Sequence, residues 1–328
     1  MNAVYLVPTE NGGVYEYQAA AKPELVAGQV LVRVKSAGTN RGELLMVGGF
    51  KSSNPALKPI LSGIEFAGDI EAVSDDVVGW SQGDRVMGRA RGSYADYVAV
   101  PSAALMRIPD SLDYPEAAAI PNVFVTAHDA LVTNAQVQKG DTVLVTAASS
   151  GIGTAAIQLA KLKGAAKVYA STRNGSKASA LKAIGADVVL DTTQAGYVER
   201  VERETDEEGI DIIIDSVGGP MFPDNLEMLA VKGRIISVGR NAGRSGKVDL
   251  DEVANKRAQI IGVTFRTRTA EEALKCQERF AEDCLQAFSD GSLKPVVDKV
   301  FPFDGLKEAH EYMLADKQVG KIVIAQQV

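Results

Sequence analysis

The residues Thr142 to Lys161, TVLVTAASSGIGTAAIQLAK, decide the fold of this chain. Val143 to Thr146 is a run of apolar and β-branched residues, which predicts a buried strand. The small residues from Ala147 to Gly153 allow a tight turn, and Thr154 to Lys161 then has the pattern of an amphipathic helix. The stretch therefore predicts a strand, a loop and a helix in direct succession.

This loop is a candidate site for a pyrophosphate group. A helix N-terminus that follows small residues presents backbone N–H groups and the positive end of the helix dipole to an anion. The glycine fingerprint is incomplete, because Ala147 and Ser150 stand where its spacing requires glycine. The loop alone therefore fits a tight structural turn equally well. The candidate binding residues are Ala148, Ser149, Ser150, Gly151, Ile152 and Gly153.

Composition limits the class of protein. The 328 residues are 46% hydrophobic and 23% charged, which is typical of globular proteins and leaves room for two domains. A net charge of −7 disfavours nucleic acid or an anionic membrane as the main partner. With no signal peptide and no long apolar run, we expect a cytoplasmic protein whose two cysteines, Cys276 and Cys284, are reduced thiols.

The pattern of predicted elements changes along the chain. Up to about residue 117, short strand candidates alternate with Gly, Pro and Asp residues, which predicts a small irregular β-barrel. From Thr142 onward, strands alternate with helices, which predicts an α/β fold with a doubly wound parallel sheet of six strands. Beyond the first strand, the predicted members are Lys167–Ser171, Asp187–Leu190, Asp211–Asp215, Arg234–Val238 and Gln259–Thr264.

Short motifs along nearly the whole chain carry a family resemblance. They are Ala37-Gly38-Thr39-Asn40, Gly63-x-Glu65-x-x-Gly68, Gly83-Asp84-Arg85-Val86, Gly92-Ser93-Tyr94-Ala95-Asp96-Tyr97, the loop Ala147–Gly153, Gly185-Ala186-Asp187, Asp215-Ser216-Val217-Gly218-Gly219 and Gly320-Lys321. In this order they resemble the medium-chain dehydrogenase/reductase family, and within it the zinc-free quinone oxidoreductase branch that includes zeta-crystallin.

The resemblance implies a fold and an activity. It implies a GroES-like catalytic domain made of residues 1–118 and 295–328, and a Rossmann domain made of residues 119–294 that binds the dinucleotide. It implies a homodimeric oxidoreductase, acting as an NADPH:quinone oxidoreductase or enone reductase on a small-molecule electrophilic acceptor. Enoyl-thioester reduction is the alternative within the family, and a non-enzymatic NADPH-binding protein is the alternative outside catalysis.

Two positions argue against zinc. Zinc-dependent relatives have a cysteine where Asn40 stands and a histidine where Ile64 stands. Neither an amide nor an isoleucine replaces a thiolate or an imidazole as a zinc ligand. The sequence therefore predicts no metal site, and it favours reduction of an acceptor that is already electrophilic over Lewis-acid activation of an alcohol.

The segment after the second Rossmann strand indicates the cofactor. An NAD enzyme usually has an Asp or Glu here for the ribose hydroxyls, whereas this chain has Ser171, Thr172, Arg173 and Lys177. Hydroxyls and cations suit the 2′-phosphate of NADP, which arginine can bind in bidentate fashion. We therefore predict NADPH as the cofactor.

The remaining site residues follow from the resemblance. It places Asn40 and Thr126 beside the nicotinamide ribose and ring, as the candidate catalytic residues. It places Phe265 where it can close over the nicotinamide. Further cofactor contacts are expected at the ends of two central strands, from Val217, Val238, Gly239 and Arg240. The acceptor pocket is expected to be shaped by barrel residues Phe50 to Pro59 together with Arg240 to Lys247 and Phe265 to Arg268.

No acid/base pair is evident in the sequence. His128 is predicted to lie on a helix face and His310 to be structural, and Phe50 stands where many relatives have a tyrosine. A proton would then come from water or another side chain, which disfavours a tyrosine-dependent enoyl-thioester reductase. A short-chain dehydrogenase is also disfavoured, because its Tyr-x-x-x-Lys motif is missing and 140 residues precede the glycine loop.

Overall fold

The computed structural model describes residues 1–52 and 57–326, and within them the chain forms two compact units. The first unit consists of residues 1–122 and 277–328, and the second of residues 123–276. The sequence predicts the crossings between units after residues 118 and 294. The contacts place the second crossing inside one long helix, Ala270–Ser289.

The first unit contains two β-sheets. A three-stranded sheet has the order β2-β1-β4, and a larger sheet has the order β15-β16-β3-β5-β6-β8 with β7 also paired to β3. The strands are β1 Asn2–Thr9, β2 Gly12–Ala19, β3 Gln29–Gly38, β4 Ile60–Leu61, β5 Glu65–Val73, β6 Arg85–Arg89, β7 Tyr97–Pro101, β8 Leu105–Arg107, β15 Val297–Pro302 and β16 Lys321–Ala325.

Pairing of β16 with β3 joins the end of the chain to its beginning. Ile324 lies opposite Ala37 in an antiparallel ladder, so the final strand completes the large sheet, as the sequence predicts. Where β3 meets β5, a side chain at Gly68 would lie 2.1 Å from the Arg33 carbonyl oxygen, so only glycine fits. The helices of this unit are α1 Arg41–Gly49, α2 Tyr114–Ala118 and α10 Leu306–Leu314.

The second unit is a six-stranded parallel sheet. Its order is β11-β10-β9-β12-β13-β14, which is the doubly wound Rossmann order that the βα alternation predicts. The strands are β9 Thr142–Val145, β10 Lys167–Thr172, β11 Val188–Asp191, β12 Ile210–Asp215, β13 Leu229–Ser237 and β14 Gln259–Gly262. Strand β13 begins before the predicted Arg234. Within the strand, Lys232 adopts a φ of 67°, which interrupts the regular strand conformation.

Helices cover the sheet of the second unit. They are α3 Val123–His128, α4 Gly151–Leu162, α5 Ala178–Ala183, α6 Tyr197–Glu204, α7 Phe222–Glu227, α8 Leu250–Lys256 and α9 Ala270–Ser289. Helix α3 passes directly into a π-helix at Asp129–Asn134, so the helical run continues with a wider turn. Among the described residues, no helix is both long and apolar enough to span a membrane.

Candidate active site

The loop between β9 and α4 has the geometry of an anion-binding turn. Ala147 adopts a left-handed φ of 47°, so an alanine here takes the conformation that glycine usually supplies. Ser150 caps α4, and its hydroxyl accepts the Gly153 N–H at 3.1 Å. A Cβ on Gly153 would lie 2.4 Å from the Ala148 carbonyl oxygen. Gly153 must therefore be glycine, whereas Ala147 adopts its left-handed conformation with a side chain, which explains why the incomplete fingerprint still folds into this turn.

The predicted 2′-phosphate segment lies directly against this loop. The Ala148 N–H donates to the Ser171 carbonyl at 3.0 Å, and Lys177 Nζ donates to Ser149 Oγ at 3.3 Å. Ser171 and Thr172 are buried, whereas Arg173 is exposed. The structure therefore places Lys177 against the loop and leaves Arg173 on a surface that solvent reaches.

An acid that the linear motif does not reveal lies beside the same segment. Asp191, at the end of β11, is in register with Thr172 of β10. Its Oδ1 accepts the Thr193 hydroxyl at 2.7 Å and the Thr193 N–H at 3.0 Å. The Thr193 hydrogen bonds lower the pKa of Asp191, so the carboxyl is ionised at neutral pH. This negative charge lies next to Gly175, in the segment between Arg173 and Lys177.

A buried carboxylate fixes the turn after β12. Asp215 is fully buried, and its Oδ1 accepts hydrogen bonds from the Thr146 hydroxyl at 3.0 Å and the Val217 N–H at 2.9 Å. The Thr146 hydroxyl in turn accepts the Ser216 N–H at 2.9 Å. Asp215 and Thr146 thereby tie the ends of the central strands β12 and β9 together. Sequence reasoning treated Asp215 only as part of a motif and missed this positioning role.

The turns after β12 and β13 are in backbone contact. The Ala242 N–H donates to the Val217 carbonyl at 2.9 Å, and the Val238 N–H donates to the Asp215 carbonyl at 2.8 Å. A Cβ on Gly239 would lie 2.7 Å from the Ser216 carbonyl oxygen, so the close approach needs glycine. Four of the predicted cofactor residues therefore belong to one packed surface at the carboxyl edge of the sheet: Val217, Val238, Gly239 and Arg240.

Phe265 and Thr126 lie in different elements of the second unit. Phe265 follows β14 at the same carboxyl edge, and the Arg268 guanidinium carbon stacks 4.7 Å from its ring centroid. Thr126 lies in the middle of α3 and is buried. The carboxyl edge is where open α/β sheets bind ligands, and it carries Phe265 together with the two packed turns.

In the first unit, Asn40 is the centre of a buried polar network. Although Asn40 occupies the N-cap of α1, its side chain makes no capping bond. Its amide nitrogen donates to Glu65 Oε1 at 2.9 Å, and its amide oxygen accepts from Lys321 Nζ at 3.0 Å and from the Asn122 amide at 2.8 Å. Lys321 also donates to Glu65 Oε1 at 2.7 Å. The orientation of the Asn40 amide is therefore fixed by an ion pair that the sequence motifs did not reveal.

A carboxylate–imidazole pair lies next to this network. Glu43 is buried in α1, and its Oε2 accepts the Tyr94 hydroxyl at 2.7 Å and lies 3.3 Å from His310 Nε2. The Asn40 amide lies 3.3 Å from Glu43 Oε1, which links the two groups. Burial, followed by the charge of Glu43, raises the pKa of Tyr94 well above its ordinary value. Sequence reasoning found no acid/base pair because Glu43 and His310 lie at opposite ends of the chain.

Comparisons with known proteins agree with this geometry. Residues 26–110 match the alcohol dehydrogenase GroES-like domain, and residues 151–279 match the zinc-binding dehydrogenase model. The chain is 33% identical to human quinone oxidoreductase, over 90% of this chain and 88% of that protein. A quinone oxidoreductase-like protein 2 homolog of Nematostella vectensis is also 33% identical, over 90% of this chain and 81% of the relative. The chain belongs to the medium-chain dehydrogenase/reductase family.

Solved structures of this family superpose over essentially the whole chain. A crystal structure of an NAD-dependent alcohol dehydrogenase aligns with a TM-score of 0.89 at 30% identity, covering 100% of both chains. A mycobacterial protein complexed with NADPH aligns at 0.86 with 28% identity, covering 99% of this chain and 100% of that one. The CurK enoyl reductase aligns at 0.85 with 26% identity, covering 99% of each. The protein is therefore an oxidoreductase of this family.

Proposed function

We propose that this protein is a zinc-independent reductase that transfers hydride from NADPH to a quinone or an α,β-unsaturated carbonyl. The observation that carries the proposal is the environment of Asn40. Where zinc-dependent relatives have a cysteine ligand, this chain has an amide bonded to the Lys321 ammonium and to Glu65. A divalent cation here would meet the positive charge of Lys321, which is already paired with the nearby carboxylate.

The proposed roles of the residues follow from their positions. When bound, the nicotinamide supplies the hydride. The N-terminus of α4 binds the pyrophosphate through backbone N–H groups, and Arg173 and Lys177 bind the 2′-phosphate. The packed turns after β12 and β13 support the nicotinamide end. Hydride delivery to an electrophilic acceptor then depends mainly on positioning and on exclusion of water.

Asn40 and Thr126 keep their proposed catalytic roles in different ways. Both lone pairs of the Asn40 oxygen already accept hydrogen bonds, so we propose that Asn40 acts through the fixed direction of its amide. Thr126 offers a hydroxyl on α3.

Phe50 has no hydroxyl, so a proton for the reduced product comes from water or from another side chain. Both cysteines are buried as thiols, which fits the reducing cytoplasm that we propose for the protein.

One assay tests the proposed reaction. Purified protein, treated with a chelator and analysed for bound metal, is given NADPH and a panel of quinones, enones, enoyl thioesters and aldehydes. We expect NADPH oxidation with quinones or enones at a rate that the chelator leaves unchanged. One tightly held zinc per chain together with chelator-sensitive turnover would contradict zinc independence. Binding of NADPH without turnover of any acceptor would favour the non-enzymatic alternative.

Enoyl-thioester reduction is the second candidate function. The structural similarity to the CurK enoyl reductase favours it. Phe50 argues against it, because a phenyl ring cannot donate a proton to the product. In the same assay, turnover of enoyl thioesters in preference to quinones and simple enones would select this candidate.

Preference for NADPH over NADH is tested by the double variant Arg173→Ala/Lys177→Ala. Charge-assisted hydrogen bonds contribute about 1.5–3 kcal/mol each before screening, so we expect a wild-type preference of roughly tenfold or more. The double variant should raise the KM for NADPH and leave the KM for NADH nearly unchanged. Lys182→Ala, which removes an exposed cation from α5, is the control. Equal use of both cofactors by the wild type would contradict the assignment.

A further inference from the structure

We infer that Arg268, held by the buried carboxylate of Asp129, is a positioning residue for Phe265. The inference rests on the proposed function, because it concerns the nicotinamide end of the dinucleotide. It adds two residues that the family motifs do not single out. All the groups involved lie in the second unit, at or near the carboxyl end of β14.

The guanidinium of Arg268 uses each of its nitrogens. Nε donates to the Thr264 carbonyl at 3.2 Å, which closes the turn from Thr264 to Arg268. Nη2 donates to Asp129 Oδ2 at 2.6 Å, and Nη1 contacts the Cys276 sulfur. The guanidinium carbon lies over the Phe265 ring, 4.7 Å from its centroid. One side chain therefore fixes the turn, anchors it to α9 and the π-helix, and supports the aromatic ring.

The anchor itself is built by an irregular helix. Asp129 is the first residue of the π-helix, and its side chain is only 1% exposed. The wider turn lets the Asn134 amide reach back to Asp129, bonding its carbonyl at 2.7 Å and its Oδ2 at 3.2 Å. Cys276 donates to the other carboxylate oxygen, Oδ1, at 3.4 Å. π-helical turns occur frequently at functional sites, and here the turn fixes the carboxylate that receives Arg268.

This arrangement suits a positioning role better than a purely structural one. Phe265 lies on a connecting segment and is only partly buried, so its contact with Arg268 restricts the rotamers that the ring can adopt. The ring contacts the Arg268 guanidinium, which Asp129 holds through an ion pair. This contact restricts the movement of the ring. A lysine keeps the charge of Arg268 but cannot make the planar stack and the three directed hydrogen bonds together. Arg268→Lys therefore isolates the geometric contribution.

A double-mutant cycle on NADPH binding tests the inference. We expect Arg268→Lys to raise the Kd for NADPH about three- to tenfold, because apparent affinity falls with the fraction of the protein in the binding-competent arrangement. Phe265→Ala should raise the Kd as well. In the Phe265→Ala background, Arg268→Lys should add no further loss, since Arg268 acts through the ring. Additive losses would overturn the inference, as would an unchanged Kd in Arg268→Lys. Arg279→Lys, on the exposed face of α9, is the matched control.

A second readout is independent of cofactor binding. Cys276 is buried in this cluster, so its reaction with a thiol reagent reports opening of the segment. In a Cys284→Ala background, we expect Arg268→Lys and Asp129→Asn to speed modification of Cys276 severalfold while circular dichroism shows an intact fold. Unchanged thiol reactivity would overturn the inference even if NADPH binds. Faster modification in a protein that binds no NADPH would instead mean that the proposed function has failed while the anchoring stands.

Discussion

At the scale of single residues, the buried pair Lys321–Glu65 is where we expect the largest loss of stability. Their side chains are 4% and 0% exposed. Lys321→Met would leave Glu65 buried without its partner, which costs about 3–5 kcal/mol of unfolding free energy. Denaturant unfolding measures this loss. The control is Lys275→Met, whose partner Glu271 lies in solvent, and there we expect about 0.5 kcal/mol or less. Similar losses in the two variants would contradict the buried network.

The same residues show where sequence reasoning stops. Asn40 and Glu65 could be selected because each lies in a short motif with a fixed spacing. The bond from Lys321 to Glu65 joins residues 256 positions apart, and that from His310 to Glu43 joins residues 267 apart. A single sequence contains no signal for such pairs, because side-chain type and local periodicity do not encode long-range proximity. The chemistry around Asn40 therefore became visible only in three dimensions.

At the scale of elements, the Rossmann strands were predictable because each is a short apolar run bounded by glycine or a polar residue. The three-residue spacing of Thr269 and Glu272 at the start of α9 is that of a capping box, and both of its hydrogen bonds are present. The π-helix could not be predicted, since it depends on Asn134 bonding back to Asp129. The position of Asp191 beside the predicted 2′-phosphate segment could not be predicted either, because it depends on the pairing of β10 with β11. Local patterns specify elements, and contacts between elements then modify them.

The acidic surface formed by α6, α7 and α8 predicts a pH-dependent stability. Burial raises the pKa of Glu227 above its ordinary 4.5, helped by the charges of Glu202 and Glu252. A raised pKa favours the protonated form in the folded state, so stability is lost as pH rises through the folded pKa. Glu227→Gln should therefore raise the Tm at pH 7, and this gain should vanish below about pH 4.5.

Glu71 provides a control of opposite sign for that measurement. Hydrogen bonds from Lys22 and then Arg33 lower its pKa, so its contribution is present at neutral pH and is lost on acidification. Glu71→Gln should lower the Tm at pH 7 and have no effect at low pH. Thermal unfolding of both variants at pH 7 and at successively lower pH, down through the folded pKa of Glu71, gives the comparison. Shifts of the same sign in both variants would contradict the charge environment described for α7.

At the scale of the whole molecule, we propose a homodimer joined through the edge strand β14. The parallel sheet ends at β11 on one side and at β14 on the other. The residues of β11 are buried or half-buried, whereas β14 exposes Ile260 by 47%. An exposed apolar edge invites pairing with another chain, and a two-fold axis lets the same strand of a second copy supply it.

Light scattering on the purified protein tests this assembly. The wild type should have the mass of a dimer at micromolar concentration, and Ile260→Lys should be monomeric with its fold intact, because a charge at the centre of an edge strand opposes pairing. Val78→Lys is the control, since Val78 is 92% exposed and belongs to the first unit. A monomeric wild type would contradict the proposal. If Ile260→Lys is still a dimer, the dimer interface does not lie at β14. The exposed apolar edge of β14 would then have to be explained by another partner.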